Sequence, residues 1–258
     1  FCRRAALALE NARIHAERQA IARNLQQELL PPRLPEIPGL GFGAEYVPTA
    51  GNAEMGGDFY DVVARPDGGW LVVVGDVSGK GVPAAIVTGV VRDVVRVLAR
   101  DGRPPEGILH RLNETLVERG DGRFCTLVLA GLTVADGRVT VRLHLAGHDR
   151  PVLVDAAGRA SQVGTPGTAL GLLAEVRTPA HELTLSPGDT LVFSTDGVTE
   201  RRRGRELFGV ERLCATLAGL AGSSAASVAA RLRATTLAFS PEPPRDDIAI
   251  LALRNEQA

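Results

Sequence analysis

The sequence has almost no lysine, few cysteines and no long apolar run, and each shortage excludes a class of protein. Lys80 is the only lysine, and 29 basic residues balance 30 acidic ones, so no basic surface for nucleic acid is indicated. The three cysteines, Cys2, Cys125 and Cys214, form no CxxC pair, which argues against a thiolate zinc site or a disulfide framework. No apolar stretch approaches the roughly 18–20 residues that cross a bilayer. We therefore expect a cytoplasmic protein with no nucleic-acid partner and no membrane contact in this segment.

What remains is the composition of an ordinary globular protein. Of the 258 residues, 45% are hydrophobic and 23% are charged, which supplies enough apolar material for a core and argues against disorder. The length fits one large domain, or one domain with an appendage. Because the chain begins at Phe1 inside a helical pattern, we expect it to be a piece of a longer protein.

The first segment, residues 1–32, is predicted to form a linker helix. Leu7, Ile14 and Ile21 recur at intervals of seven, and a double proline ends the pattern. The repeat is too short to decide between two arrangements. The helix either packs on its own domain or forms a coiled-coil homodimer through residues 1–30.

Residues 38–255 are predicted to form a single α+β domain. Hairpin-linked strands with the helices in two blocks are not the strict βαβ alternation of a parallel sheet, and they favour two mainly antiparallel sheets flanked by helices. In the first helix, Ile86, Val90, Val94 and Val97 share one face and are expected to be buried. Strands are expected over 42–47, 59–64, 70–74, 124–133, 139–146, 151–154, 183–185, 190–194 and 248–253, and helices over 84–100, 104–116, 208–220 and 225–239.

Aspartates stand beside apolar strands in four segments. A carboxylate at the end of a buried strand is costly unless positive charge compensates it, and Mg²⁺ and Mn²⁺ prefer oxygen ligands of this kind. One such segment alone would be an ordinary turn; four favour a cation site, although spacing does not show that they converge. Gly75, Gly79 and Gly81 are expected to turn the backbone sharply beside Asp76. The segments are GGDFYD (56–61), GDVSGKG (75–81), STDGVTE (194–200) and RDDIAIL (245–251).

In this order and at these separations, the four segments closely resemble the SpoIIE/RsbU-like branch of the metal-dependent (type 2C, PPM) protein phosphatases. The resemblance extends over about residues 40–253 and implies an αββα sandwich preceded by the long helix. It also implies a protein serine/threonine phosphatase that uses two Mn²⁺ or Mg²⁺ ions. In that family a metal-activated water attacks phosphoserine or phosphothreonine, and no phosphoenzyme forms.

The resemblance implies a role for each acidic residue. Asp76 would bridge the two ions, assisted by the carbonyl of Val77, while Asp196 and Asp246 would hold one of them. The other ion or its waters would contact Asp58. The complete implied ligand set is Asp58, Asp76, Val77, Asp196, Asp246 and Asp247, and the four catalytic members are Asp58, Asp76, Asp196 and Asp246.

Some positions stay open within this pattern. Asp247 is an ambiguous neighbour in the Asp-Asp pair, since the family pattern favours the first aspartate. No phosphate-binding arginine stands in 47–57, and Ser78 occupies a place where many type 2C phosphatases have histidine. The general acid and the phosphate anchor are therefore unassigned. Lys80 is a candidate to neutralise phosphate, or else a solvated loop charge.

The resemblance also implies partners. The expected substrate is a phosphorylated STAS-domain anti-anti-sigma factor in a partner-switching pathway. Residues 5–13 resemble the last helix of a GAF sensor domain, which implies a sensor earlier in the same chain, and the helix over 84–100 would gate metal binding. The alternative is a sensor-gated regulatory or binding module with little activity in isolation. A nucleotide site at 75–81 is disfavoured, because the loop has neither Walker nor Rossmann spacing.

Overall fold

A computed structural model of the chain describes residues 33–49, 56–135 and 138–257, together with residue 13. The predicted helix over residues 1–32 therefore lies, apart from residue 13, outside the described residues. The strands are β1 (Leu40–Val47), β2 (Phe59–Ala64), β3 (Trp70–Val77), β4 (Cys125–Ala135), β5 (Arg138–Ala146), β6 (Val152–Val154), β7 (Ala160–Gln162), β8 (Ala180–Leu185), β9 (Thr190–Ser194), β10 (Arg202–Arg203), β11 (Glu206–Leu207) and β12 (Ile248–Asn255). The helices are α1 (Val82–Arg100), α2 (Pro105–Arg119), α3 (Asp196–Thr199), α4 (Gly209–Ala218) and α5 (Ala225–Ala238).

Ten of these strands form two five-stranded antiparallel sheets. The first sheet has the order β1-β12-β9-β6-β7 and the second has the order β2-β3-β4-β5-β8. Strands β10 and β11 form a separate short hairpin. The expected α+β sandwich of two antiparallel sheets flanked by helices is confirmed.

Three apolar layers hold the sandwich together. The middle layer lies between the sheets and includes Val74, Val128, Phe193 and Leu251. A second layer packs the outer face of the second sheet against α1 and α2, and a third packs the outer face of the first sheet against α4 and α5. Strands in the middle of each sheet are therefore covered on both faces, which is why β3 and β12 read as continuous apolar runs rather than alternating ones.

The buried face of α1 differs in part from the expected one. Val94 packs against the core, but Ile86 and Val97 are 54% and 64% exposed, whereas Val87, Val91 and Val95 are fully buried. The helix carries two adjacent stripes of β-branched residues, and both match helical periodicity. The packed stripe is the one that fills the space above β2 and β3, which the sequence pattern alone does not specify.

Within the described ranges, the elements expected from the sequence are present, and three short ones are additional. Strand β7, helix α3 and the β10–β11 hairpin have only two to four residues each, too few to show periodicity. Strand β3 also runs longer than expected, since Asp76 and Val77 pair with Thr126 and Cys125 on β4. Of the helices in the described ranges, none combines the length and the apolar character needed to span a membrane.

Candidate active site

The four aspartate segments meet at one seam between the two sheets. The second sheet contributes Asp58, just before β2, and Asp76, near the end of β3. The first sheet contributes Asp196, directly after β9, and the Asp-Asp pair directly before β12. The antiparallel pair Phe59–Gly75 places Asp58 next to Asp76 across the two strands, and a hydrogen bond from Thr195 to Asp58 links the two sheets at the seam.

Asp58 is a buried carboxylate held by a hydroxyl of the opposite sheet. It is 5% exposed, and its Oδ2 accepts a hydrogen bond of 2.5 Å from Thr195 Oγ1. The same hydroxyl oxygen accepts the backbone N–H of Ala249 on β12, which fixes its orientation. Burial raises the pKa of Asp58 well above its usual range, and the negative charges of Asp76 and Asp247 add to this effect.

The charge of Asp76 is poorly compensated by the fold. Burial, followed by the nearby charges of Asp196 and Asp246, raises its pKa to about 7. The neighbouring side chain of Asp58 acts in the opposite direction. A divalent cation bound beside Asp76 would supply the missing positive charge.

Asp196 starts the short helix α3 and belongs to the same electrostatic group. Its pKa is raised to about 6 by burial, then by Asp246, Glu200 and Asp149. Asp149 is a carboxylate that the sequence analysis did not single out. Thr199 Oγ1 on the last residue of α3 donates to Asp149 at 3.0 Å, which ties the loop after β5 to the helix that carries Asp196.

The two aspartates before β12 have different surroundings. Asp247 is 1% exposed, and its carboxylate accepts hydrogen bonds from Tyr46 Oη at 2.5 Å and from the amide and hydroxyl of Thr49 at 2.7 Å. The side chain of Asp246 is 55% exposed, and it lies 3.4 Å from Lys80 Nζ. Asp247 therefore fastens the end of β1 to the start of β12. Asp246 accepts the amide of Asp247 with Oδ1 at 3.0 Å, the same oxygen that lies near Lys80, which leaves Oδ2 for a ligand.

Lys80 joins the two loops that carry acidic residues. Besides its ion pair with Asp246, its ammonium donates to the carbonyl of Arg245 at 2.6 Å. These contacts hold the 75–81 loop against the segment before β12. The residue is exposed, and its two expected roles, phosphate neutralisation and a solvated charge, stay predictions.

Gly57 allows the backbone before β2 to approach the end of β3. A Cβ at this position would overlap the carbonyl oxygen and the amide nitrogen of Val77. The Gly57 carbonyl accepts the amide of Val77 at 3.2 Å and the hydroxyl of Thr88 on α1 at 3.3 Å. No larger residue fits, and the close approach sets the position of Asp58 relative to Asp76.

The glycines around Asp76 behave differently from one another. Gly79 and Gly81 have φ angles of 96° and 82°, in the left-handed region that favours glycine, as expected for a sharp turn. The expectation of a turn at Gly75 is wrong. This residue lies within β3, where a Cβ would crowd Phe59 and Leu127, so its small size serves packing.

Other polar side chains near the seam have structural roles. Ser78 Oγ accepts the amide of Phe124 at 2.9 Å, so this hydroxyl shapes the loop after β3. His148 is buried, and its Nδ1 lies 3.0 Å from Thr126 Oγ1. Burial lowers the pKa of His148 to about 4, so its ring is neutral at physiological pH and is not poised as a proton donor.

The donor set suits a hard divalent cation. The side chains that gather at the seam offer carboxylate oxygens, and the raised pKa values show negative charge that the described protein groups leave uncompensated. Across residues 33–49, 56–135 and 138–257, however, no group of three or more histidine, cysteine, aspartate or glutamate side chains is arranged to hold a metal ion as it stands. The carboxylates therefore lie near one another, but in the described part of the chain they are not yet close enough to form a complete set of metal ligands.

Comparison with known proteins identifies the family. A sequence model described as Stage II sporulation protein E (SpoIIE) matches residues 66–256, which is most of the chain. The chain belongs to the SpoIIE family. Phosphoserine phosphatase RsbU of Bacillus subtilis is 29% identical to it over 184 residues, which cover 70% of this chain and 53% of RsbU. The expected SpoIIE/RsbU-like membership is therefore confirmed.

Solved structures share the architecture. The RsbU and RsbW domains of Rv1364c from Mycobacterium tuberculosis are 30% identical with a TM-score of 0.73, covering 87% of this chain and 62% of that one. The SiaA-PP2C domain of Pseudomonas aeruginosa is 23% identical with a TM-score of 0.77, covering 96% and 99%. That likeness shows that this SpoIIE-family chain has the PP2C fold. The chain spans 34% and 53% of the length of two curated relatives.

Proposed function

We propose that this SpoIIE-family chain is a metal-dependent protein serine/threonine phosphatase, with residues 38–255 as the phosphatase domain. One observation carries the proposal: Asp58, Asp76, Asp196 and Asp246 approach one another at a single seam, with pKa values raised for the first three. Burying this much like charge has a cost, and a site that binds divalent cations is a use that accounts for it.

Individual residues take the following roles in the proposal. Asp76, assisted by the carbonyl of Val77, would contact two Mn²⁺ or Mg²⁺ ions, Asp196 and Asp246 would hold one, and Asp58 would serve the other or its waters. Such ions lower the pKa of bound water and neutralise phosphoryl oxygens. Asp247, included in the expected ligand set, is better suited to support, because its carboxylate already accepts hydrogen bonds from β1 and the loop after it.

The protein groups near the seam favour direct attack by water. The hydroxyl of Ser78 is engaged by a backbone amide. The Cys125 thiol is buried, which raises its pKa well above the usual range, so a reactive thiolate is disfavoured. Thr195 orients Asp58, and Lys80 holds the Asp246 loop in place. No side chain named here is set up to form a phosphoenzyme.

The substrate and partners follow from the relatives. Because RsbU is named a phosphoserine phosphatase, we propose phosphoserine or phosphothreonine on a STAS-domain anti-anti-sigma factor as the substrate, within a partner-switching pathway. Residues 1–32 would link the domain to a sensor earlier in the same chain, and residues 1–30 would support a homodimer. We propose a cytoplasmic location.

A second candidate function is a sensor-gated module with little activity in isolation. The observation that favours it is the incomplete ligand group, since the described acidic side chains do not form a ready metal site. In this case metal would bind only after the segments at the seam shift, under control of the proposed sensor.

Hydrolysis of a small aryl phosphate, with and without Mn²⁺, tests the proposal against the Asp76→Asn variant. Metal-dependent turnover that the variant lacks would support the phosphatase. Calorimetric titration with Mn²⁺ separates the remaining cases. Binding without turnover would favour the gated module, and absence of both binding and turnover would refute catalysis by this chain.

A further inference from the structure

A small pocket opens directly beside the acidic seam, on the side of the first sheet. Its volume is about 80 Å³, and about 10–15 Å³ is enough for one water, so it takes a group of several non-hydrogen atoms. Asp246 and Gly197, the neighbour of Asp196, form its inner wall. The complete lining is Gly197, Glu200, Arg201, Arg202, Pro244, Arg245 and Asp246.

The three arginines of this pocket are not equivalent. Arg201 is 5% exposed, and its guanidinium donates to the carbonyls of Ser240, Glu242 and Pro243. This side chain is committed to holding the loop that leads to Asp246. It supports the wall of the pocket through both terminal nitrogens, and only its buried Nε has no partner among the described residues.

Arg202 and Arg245 present their guanidinium groups to solvent at the mouth of the pocket. Arg202 is exposed on β10, and its side chain makes no hydrogen bond or ion pair with any other residue in the described part of the chain. The side chain of Arg245 is 72% exposed and lies 3.2 Å from Glu242, an exposed pair of little energetic weight.

The carboxylates that line the pocket do not form ion pairs with Arg202, and they leave Arg245 with only its exposed partner Glu242 among the described residues. Both guanidinium groups can therefore contact a ligand. Of the two carboxylates that line the pocket, Asp246 is paired with Lys80, and Glu200 is the other. Guanidinium groups recognise phosphate and carboxylate with two parallel hydrogen bonds. The pocket is therefore suited to an oxyanion positioned next to Asp196 and Asp246.

We propose that Arg202 and Arg245 form an oxyanion-binding subsite that anchors the phosphoprotein substrate beside the acidic seam. The inference rests on the proposed phosphatase function and assigns to it the phosphate anchor that the sequence left open. The oxyanion is either the phosphoryl group itself or a carboxylate that flanks the phosphorylated residue. Arg202 is the principal contact, because its guanidinium has no competing partner among the described residues.

The test compares three substrates with Mn²⁺ present: a small aryl phosphate, a phosphoserine peptide with acidic neighbours, and the same peptide with neutral neighbours. The variants are Arg202→Ala, Arg202→Lys and Arg245→Ala. Arg205→Ala is the matched control, since Arg205 is an exposed arginine of the same hairpin that does not line the pocket. We expect Arg202→Ala to raise KM about tenfold or more, the usual effect of losing a charged hydrogen bond, with unchanged Mn²⁺ affinity by calorimetry.

The substrates distinguish the source of the oxyanion. A raised KM on all three identifies the phosphoryl group, and a raised KM on the acidic peptide alone identifies a flanking carboxylate; both support the subsite. Equal KM values for Arg202→Ala and Arg205→Ala on every substrate overturn it. If the wild type turns over none of the three, the proposed function fails instead. In that case the subsite is tested by binding alone. Fluorescence anisotropy measures the affinity of the acidic peptide for the wild type and for Arg202→Ala. Weaker binding to the variant supports the subsite, and equal affinities overturn it.

Discussion

Replacing Asp76 with asparagine is expected to stabilise the metal-free protein while abolishing its response to Mn²⁺. Asparagine keeps the shape and hydrogen-bonding capacity of the side chain but removes the charge. In the folded chain that charge is partly buried and faces the carboxylates of Asp196 and Asp246. The substitution therefore relieves a cost that the fold bears whenever the metal is absent.

The size of the effect follows from the pKa of Asp76. The value is about 7 in the folded chain against 3.8 for a free side chain. At about 1.4 kcal/mol per pH unit, ionisation at pH 7 costs the folded state about 4 kcal/mol relative to the unfolded state. This figure is a ceiling, because neighbouring carboxyls adjust their protonation when one charge is lost. Each kcal/mol gained should raise Tm by about 2–4 °C in a chain of this size.

The pH dependence of stability shows independently whether the charge of Asp76 stabilises or destabilises the folded protein. Because the folded pKa of Asp76 is the higher one, the folded state binds this proton more tightly than the unfolded state. The free energy of unfolding of the metal-free wild type should therefore fall between pH 3.8 and about pH 7. The gain in stability of Asp76→Asn over the wild type should be absent near pH 3.8 and complete above about pH 7.

Thermal melts in a chelating buffer, with and without added Mn²⁺, measure the effect, and Asp61→Asn is the matched control. Asp61 is also a buried aspartate, but its carboxylate lies 2.5 Å from Arg96 and 3.7 Å from Arg92. Breaking this buried ion pair should destabilise the protein by about 3 kcal/mol. If Asp76→Asn destabilises the metal-free protein as Asp61→Asn does, the charge of Asp76 is compensated in the fold and the reasoning is refuted.

Substitutions at four other positions test the geometry of the seam. Gly57→Ala should lower Tm and abolish Mn²⁺ binding, because its Cβ overlaps the backbone of β3; an unchanged Tm would contradict the close approach. Thr195→Val should weaken Mn²⁺ binding about tenfold or more by calorimetry, as loss of a supporting hydrogen bond commonly does, with Thr195→Ser restoring it if the hydroxyl to Asp58 is the cause. Asp246→Asn should abolish Mn²⁺ binding with Tm retained, whereas Asp247→Asn should lower Tm in a chelating buffer; the reverse pattern would exchange their roles.

The sequence predicted the architecture well, because the apolar pattern and the turn residues mark long elements clearly. It identified the buried face of α1 only in part, since Val94 packs against the core but Ile86 and Val97 are exposed while Val87 and Val91 are buried. Which stripe is buried depends on how the helix lies on the second sheet. Periodicity gives the existence of an apolar face, and packing selects between adjacent faces.

For the site, the sequence identified the carboxylates but not the groups that hold them. Thr195 stands inside the STDGVTE segment, yet its contact with Asp58 joins residues 137 positions apart and depends on the packing of the two sheets. Asp149 lies outside the four aspartate segments, so the sequence does not indicate its position. The loop after β5 brings it to the seam, where Thr199 donates to it. Asp246 and Asp247 are adjacent and chemically identical, and only the hydrogen bonds to Asp247 distinguish them.

The position of the site between the sheets links metal binding to the packing of the whole domain. Asp58 and Asp76 belong to one sheet, and Asp196 and Asp246 belong to the other. Without a cation, their mutual repulsion pushes the sheets apart at this edge, against the apolar layer between them. A cation that contacts the aspartates of both sheets would replace this repulsion with attraction and hold the sheets together. Metal affinity must then depend on any contact that sets their spacing, and the hydrogen bond from Thr195 to Asp58 is one such contact.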